Sequence, residues 1–269
     1  MFSSHKPDLK KIKCVLDDIH SETKALIRDK KRAPDINGFS SPTLSEITIS
    51  TYIPNDLYKS KRFYKVDPSW IPNDVENTRC PSYFMHCVSQ VEIKDGMWAE
   101  FGVKFGKSID ILSNIKHAFF PNNKSRFCGF DSFEGLPENT EWGDKGHLST
   151  EGFVPDIPGC KFYKGWFEHT IPFFNDQHSE PLALLHIDCD IYSSTVEVLE
   201  GMKHKIIPGT VILFDDMLSY SKNLETWTGE NHEFKAFIEF VEKYDVEYEW
   251  VAYVANASQI ACKINNINV

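Results

Sequence analysis

The sequence predicts an α/β protein in which a mostly parallel sheet is sandwiched between helices. Three observations predict it. From Gly96 onward, short apolar runs alternate with segments whose apolar residues recur at helical spacing. Two of the runs, residues 182–188 and 210–214, are almost continuously apolar, as strands covered on both faces require. Acidic or glycine residues follow the runs directly, the pattern of a sheet whose strand ends share one ligand-bearing edge.

The elements follow in order. Residues 1–92 read as a helical or irregular N-terminal cap, Lys-rich at the start and broken by Pro42, Pro54, Pro68, Pro72 and Pro81. Within it, residues 8–30 fit an exposed helix and residues 83–91 a short buried one. Residues 93–269 read as the regular domain. It opens with a strand over 97–103 and a helix over 107–119, whose core face is Ile111, Leu112, Ile115, Ala118 and Phe119. Strands are expected at 126–131, 161–165 and 182–188. Ser194-Thr195-Val196-Glu197 has capping-box spacing. The helix it opens carries Val198, Leu199, Met202 and Ile206 at core spacing and stops at Pro208-Gly209. A strand at 210–214 is followed by a helix capped by Asn231, with Phe234, Phe237, Ile238, Val241 and Tyr244 inward. Residues 246–254 and 259–264 then form an antiparallel C-terminal hairpin.

Composition narrows the function. The chain has 269 residues, 29 Lys plus Arg against 39 Asp plus Glu, and a net charge of −10. That balance disfavours nucleic acid or an anionic membrane surface as partner, and no apolar run approaches the roughly 20 residues of a membrane span. Seven cysteines occur with no CxxC pair, which fits reduced thiols in a cytoplasmic protein better than a disulfide framework. No secretory signal is visible at the N-terminus. A homo-oligomer is left open.

Three motifs sit at the strand ends. In Glu100-Phe101-Gly102-Val103-Lys104-Phe105-Gly106-Lys107-Ser108, the glycines let backbone approach a ligand, and the helix start with Ser108 offers N–H groups to a carboxylate or phosphate. It matches neither the dinucleotide fingerprint nor the P-loop, and a plain strand-to-helix turn is the competing reading. In Phe130-Asp131-Ser132-Phe133-Glu134-Gly135, Asp131 ends a strand where ribose hydroxyls are bound in such sheets; a surface turn is the alternative. Asp188-Cys189-Asp190 and Asp215-Asp216 place hard oxygen ligands beyond two buried strands, as Mg²⁺ or another divalent cation prefers. Their alternative is the capping of helix N-termini. Asp190 is expected to face away from Asp188 and to cap with Ser193 and Ser194. His186, inside an apolar strand, reads as a satisfied core histidine.

Four segments occur in a fixed order: Trp98-Ala99-Glu100-Phe101-Gly102-Val103, then Gly129 to Pro137, Gly165-Trp166-Phe167-Glu168-His169-Thr170-Ile171-Pro172, and His186 to Thr195, ending in Phe214-Asp215-Asp216. Together they resemble the macrocin-type O-methyltransferases over roughly residues 95–265. The resemblance implies a Rossmann-like class I methyltransferase sandwich that uses S-adenosylmethionine and Mg²⁺ to methylate a hydroxylated small-molecule acceptor, a sugar or glycoside. By position it implies cofactor contacts at Glu100, Gly102, Gly106, Ser108, Asp131, Ser132, Gly165 and Trp166. It implies metal ligands at Asp188, Asp215 and Asp216, with Asp188 also as general base. Lys104-Phe105 departs from the family in being bulky. Two other classes stand beside this one. Asp188-Cys189-Asp190 is a DxD triplet of the kind nucleotide-sugar glycosyltransferases use, and the bulky loop also fits a non-catalytic cofactor-binding module.

Overall fold

A computed structural model describes residues 64–65, 81–140, 143–217, 233–254 and 259–269. The helix expected at 8–30 and the Asn231 cap lie outside these residues. In chain order the elements are β1 (Tyr64–Lys65), α1 (Pro81–Ser89), β2 (Met97–Phe101), α2 (Lys107–Phe119), β3 (Phe127–Asp131), β4 (Cys160–Lys164), α3 (Phe167–Gln177), β5 (Leu182–Ile187), α4 (Tyr192–Met202), a 3₁₀ turn (Lys203–Lys205), β6 (Val211–Phe214), α5 (Glu233–Tyr244), β7 (Glu247–Val254) and β8 (Gln259–Asn266).

The strands form one sheet in the order β1-β7-β8-β6-β5-β2-β3-β4. Every neighbouring pair is parallel except those of β8, which runs antiparallel to both β6 and β7. The chain leaves β2 toward β3 and β4, then returns to place β5 on the other side of β2. The strand order therefore reverses between β2 and β5, the position where such sheets open a crevice. Register sharpens this. Phe101 pairs with Phe130 and Ile187, and Ile187 with Phe214, so four strands finish level and the residues after them share one edge.

Strand pleat sorts the core into two layers. On one side α1 and α2 pack together, with Tyr83, Phe84, Cys87, Val88, Trp98, Ile109, Leu112 and Ile115 buried. On the other, the rings of Phe101, Phe130 and Tyr163 stack in a ladder across β2, β3 and β4, with centroids 4.3 and 4.8 Å apart. Phe167 and Phe174 of α3 meet that ladder edge-on. The short helix expected around Tyr83 is thus present and is part of the sheet's core.

Several helix expectations need correction. The buried face of α2 is Ser108, Ile109, Leu112, Ile115 and Lys116, whereas Ala118 and Phe119 are exposed. Ser108 and Lys116 turn inward because each polar end finds a partner. Ser108 donates to Glu100, and Lys116 Nζ reaches the carbonyl of Ser125 at 2.7 Å. Apolar periodicity cannot count such positions. In α4 the capping box is not used: the N-cap is Ile191 with no side-chain cap bond, and the helix begins at Tyr192, ahead of Ser194. It ends at Met202, and the 3₁₀ turn fills the gap to Pro208. In α5 the inward residues are Ala236, Phe237 and Phe240 together with Glu233, while Phe234, Ile238, Val241 and Tyr244 are half-buried. Helix α3 had no clear sequence signal, since Pro172 lies inside it. Among the described residues, no helix is long and apolar enough to cross a membrane.

Candidate active site

The level strand ends enclose one cleft. It is lined by Gly102 and Lys104 after β2, Asp131 and Ser132 from β3 and its turn, Gly165 and Trp166 after β4, Asp188 to Asp190 after β5, and Asp215 after β6. Gly135, Leu136, Pro137 and Leu148 close one side, and Ser194 and Glu197 of α4 another.

The loop between β2 and α2 is shaped by close backbone approach. Gly102 has φ +86°, and a Cβ there would lie 1.8 Å from the carbonyl oxygen of Asp188, so this position admits no side chain. Lys104 also adopts positive φ, at 52°. The Asp131 carboxylate pays for that geometry: Oδ2 accepts the amides of Val103 and Lys104, both at 2.7 Å, and Oδ1 accepts that of Phe133 at 2.7 Å. Asp131 thereby holds the loop after β2 to the turn after β3. Gly106, the third expected contact in this loop, packs beneath Ile157 and Pro155, where a Cβ would come within 2.5 Å of Ile157.

Behind the cleft lies a buried polar chain. Glu100 is wholly inaccessible; Oε1 accepts the Ser108 hydroxyl at 3.0 Å and Oε2 meets His186 Nδ1 at 2.9 Å. His186 Nε2 stands 3.7 Å from Asp215 Oδ1, which also accepts a short hydrogen bond from the Gln259 amide. Burial alone would depress the His186 pKa, but the carboxylates of Asp215 and Glu100 outweigh it and push the value up to about 10. The amide of Asp216 donates to Glu233 Oε2 at 3.0 Å. Glu233 is itself inaccessible. Its carboxyl is driven well above the usual range by burial first and then by the nearby charges of Asp216, Asp215 and Asp188.

The expected site residues thus fall into two groups. Gly102, Asp131, Ser132, Gly165, Trp166, Asp188 and Asp215 line the cleft. Glu100, Ser108 and Asp216 are buried outside its lining, with Glu100 and Ser108 bonded to each other, and Gly106 supports the loop from below. Asp190, expected to face away from Asp188 and to cap with Ser193 and Ser194, lines the cleft at φ 68°, and the N-cap of α4 is Ile191. Among the described residues, His186, Asp188 and Asp215 each offer one ligand-type atom within 4.8 Å of the others. Sequence reading missed Glu197, Glu233 and Gln259. Glu233 carried one usable signal, an acid one residue ahead of a strongly apolar helical face; nothing distinguished the other two.

Comparison with known proteins bears on the fold and the family. A family model described as macrocin-O-methyltransferase matches residues 152–248. An 8-demethyl-8-(2,3-dimethoxy-α-L-rhamnosyl)-tetracenomycin-C 4′-O-methyltransferase from Streptomyces olivaceus is 34% identical over 157 residues, covering 49% of this chain and 57% of that protein. The match therefore spans little more than half of the curated relative. Among solved structures, the calicheamicin methyltransferase CalS11 superposes with a TM-score of 0.54 at 18% identity, over 85% of this chain and 96% of that one. The O-methyltransferase NovP superposes with a TM-score of 0.52 at 21% identity, over 69% and 79%. The chain has the class I methyltransferase fold, with a C-terminal antiparallel hairpin, and it resembles the macrocin-type O-methyltransferases in sequence.

Proposed function

We propose that the protein is an S-adenosylmethionine-dependent O-methyltransferase that acts on a hydroxyl of a sugar or glycoside, assisted by Mg²⁺ or another divalent cation. One observation carries the reading: the strand-end motifs of a chain similar to macrocin-O-methyltransferase converge on a single cleft at the reversal of strand order. In this reading the loop from Gly102 to Gly106 receives the methionine end of the cofactor, Asp131 and Ser132 the ribose, and Gly165 and Trp166 the adenine. Asp188, Asp215 and Asp216 hold the cation. The carboxylates facing the cleft suit a cationic sulfonium. The cysteines of the described residues are thiols rather than disulfides, which supports a cytoplasmic location.

The chemistry asks little covalent work of the chain. S-adenosylmethionine would supply the methyl group, and a divalent ion held by Asp188, Asp215 and Asp216 would lower the pKa of an acceptor hydroxyl. The cleft aligns the acceptor oxygen with the methyl carbon for in-line displacement. The new oxygen–carbon bond would form as the sulfur–carbon bond breaks, leaving a thioether and a methyl ether, with Asp188 placed to take the hydroxyl proton.

Isothermal titration with S-adenosylmethionine or S-adenosylhomocysteine tests this, followed by methyl transfer to a panel of glycosides. Saturable binding is expected, and no detectable binding at millimolar ligand would overturn the reading. A second reading keeps one observation of its own, since both acids of the Asp188-Cys189-Asp190 triplet line the cleft. It is a nucleotide-sugar glycosyltransferase, and it requires thermal stabilisation by a nucleoside diphosphate with Mn²⁺ and none by S-adenosylmethionine.

A further inference from the structure

The cleft has a cover as well as walls. The chain that leaves β3 runs through Ser132, Gly135, Leu136 and Pro137, all of which line the cleft, and then meets the opposite wall. There the Ser193 hydroxyl, in the first turn of α4, donates to Glu138 Oε1 at 2.5 Å. Strands β3 and β5 flank β2 in the sheet, two interstrand spacings or about 10 Å apart. The segment over 132–138 therefore joins the two sides of the crevice, and the loop from Gly102 to Lys104 leaves the sheet between them.

This segment is built to move as one piece. At its base Phe133 is buried, its amide is held by Asp131, and its carbonyl accepts the Gly152 amide at 2.9 Å. Further along, the Ser132 hydroxyl oxygen accepts the amide of Glu134 at 3.0 Å. Leu136 donates to the His147 carbonyl and accepts from the Gly146 amide, both at 2.9 Å. Gly135, at φ +85°, lets the arm close on itself, since a Cβ there would stand 2.3 Å from the His147 carbonyl oxygen. The far end is held differently. Glu138 and Ser193 are both exposed, and an exposed hydrogen bond is readily exchanged for bonds to water. The post it is fastened to is itself anchored. Tyr192 Oη donates to Glu239 Oε2 of α5 at 2.5 Å, and Lys235 Nζ lies 4.5 Å from the Tyr192 ring centroid.

We propose that residues 132–138 form a strap across the cofactor end of the cleft, latched by the Glu138–Ser193 hydrogen bond, and that release of this latch gates cofactor exchange. The proposal rests on the S-adenosylmethionine reading above, which puts the ribose at Asp131 and Ser132, the base of the strap. Glu138 and Ser193 lie outside the cleft lining, so they are positioning residues that act on the cofactor through the strap. When the latch opens, the arm beyond Phe133 swings and takes the apolar side of the cleft, Leu136 and Pro137, with it. Such a gate slows entry and departure alike, because one opening serves both. A direct contact with the ligand would slow departure alone.

The test measures exchange of tritiated S-adenosylhomocysteine on the full chain by rapid filtration, reading association and dissociation rates separately. Ser193→Ala and Glu138→Ala are each expected to raise both rates by about fivefold, while the dissociation constant moves by less than about twofold. The double variant is expected to exchange no faster than either single one, since the same bond is lost in all three. Rates within about twofold of the parent's in both single variants, faster departure with unchanged entry, or additive effects in the double variant overturn the proposal. A parent chain that binds no S-adenosylhomocysteine overturns the S-adenosylmethionine reading and the proposal with it. Binding whose rates ignore the latch overturns the proposal alone.

Discussion

Asp215 shows how one residue carries several constraints. It is 4% exposed, ends β6, accepts a hydrogen bond from Gln259, faces His186 Nε2 and still lines the cleft. Replacing it with Asn keeps the shape and the carbonyl oxygen that Gln259 bonds, and removes only the charge. Asp215→Asn is therefore expected to abolish turnover while S-adenosylmethionine affinity stays within about tenfold, or roughly 1.4 kcal/mol; parallel calorimetry and activity assays check both. The strand-end acids were legible in the sequence because each directly follows an apolar run, and the run itself announces the buried strand that delivers it. Glu233 was not legible. An acid in a first helical turn is ordinary in sequence terms, and only the fold reveals that this one is wholly buried against the Asp216 amide. Glu100 lies between these cases. Its place at the end of β2 was readable, but its role as acceptor for Ser108 and His186, 86 positions away, depends on sheet pairing.

Among elements, strands were read more faithfully than helix faces. The near-continuous apolar runs of β5 and β6 mark both position and burial, whereas α2 and α5 each offered more than one stripe at helical spacing. Satisfied polar groups chose between the stripes: Ser108 and Lys116 in α2, Glu233 in α5. Helix α3 hid behind Pro172. The attachment of α4 to α5 rests on a further polar cluster. Glu200 of α4 accepts from Lys243 Nζ at 2.8 Å, Tyr244 Oη at 2.7 Å and Lys203 Nζ at 3.2 Å. Partial burial pushes its pKa up, but the bonds from Lys243, Tyr244 and Lys203 prevail and hold it below the ordinary value. A carboxylate with a depressed folded pKa stabilises above its unfolded pKa and loses that contribution as pH falls. Glu200→Gln is expected to melt roughly 2 °C lower than the parent at pH 7. The gap should begin to close as pH falls past the unfolded glutamate value of about 4.3 and vanish only below the depressed folded value; melting curves across pH read this directly.

At the scale of the whole molecule, the reversal of strand order between β2 and β5 joins residues from five strands into one site, and the sharing of one edge by the strand ends followed from the order of apolar runs. The acceptor side did not, because acceptor pockets are assembled from loops and extensions without strong periodicity. The contribution of α1 is more definite. Tyr83, Phe84, Cys87 and Val88 are buried to within 1% of complete, and burial of a large apolar side chain contributes about 1.5–3 kcal/mol. Deleting residues 1–90 is expected to abolish cooperative unfolding and near-ultraviolet dichroism, since the loss rivals the roughly 5–15 kcal/mol that keeps a domain folded. A deletion that stops at residue 80 spares all four. The hairpin has a further consequence, in biosynthesis. Strand β8 is made after β7 yet lies between β7 and β6. Until it leaves the ribosome, β6 presents a bare edge of unpaired amides and carbonyls to solvent, and the sheet cannot close while translation is still short of Gln259. Nascent chains stalled before that point are natural clients for chaperones.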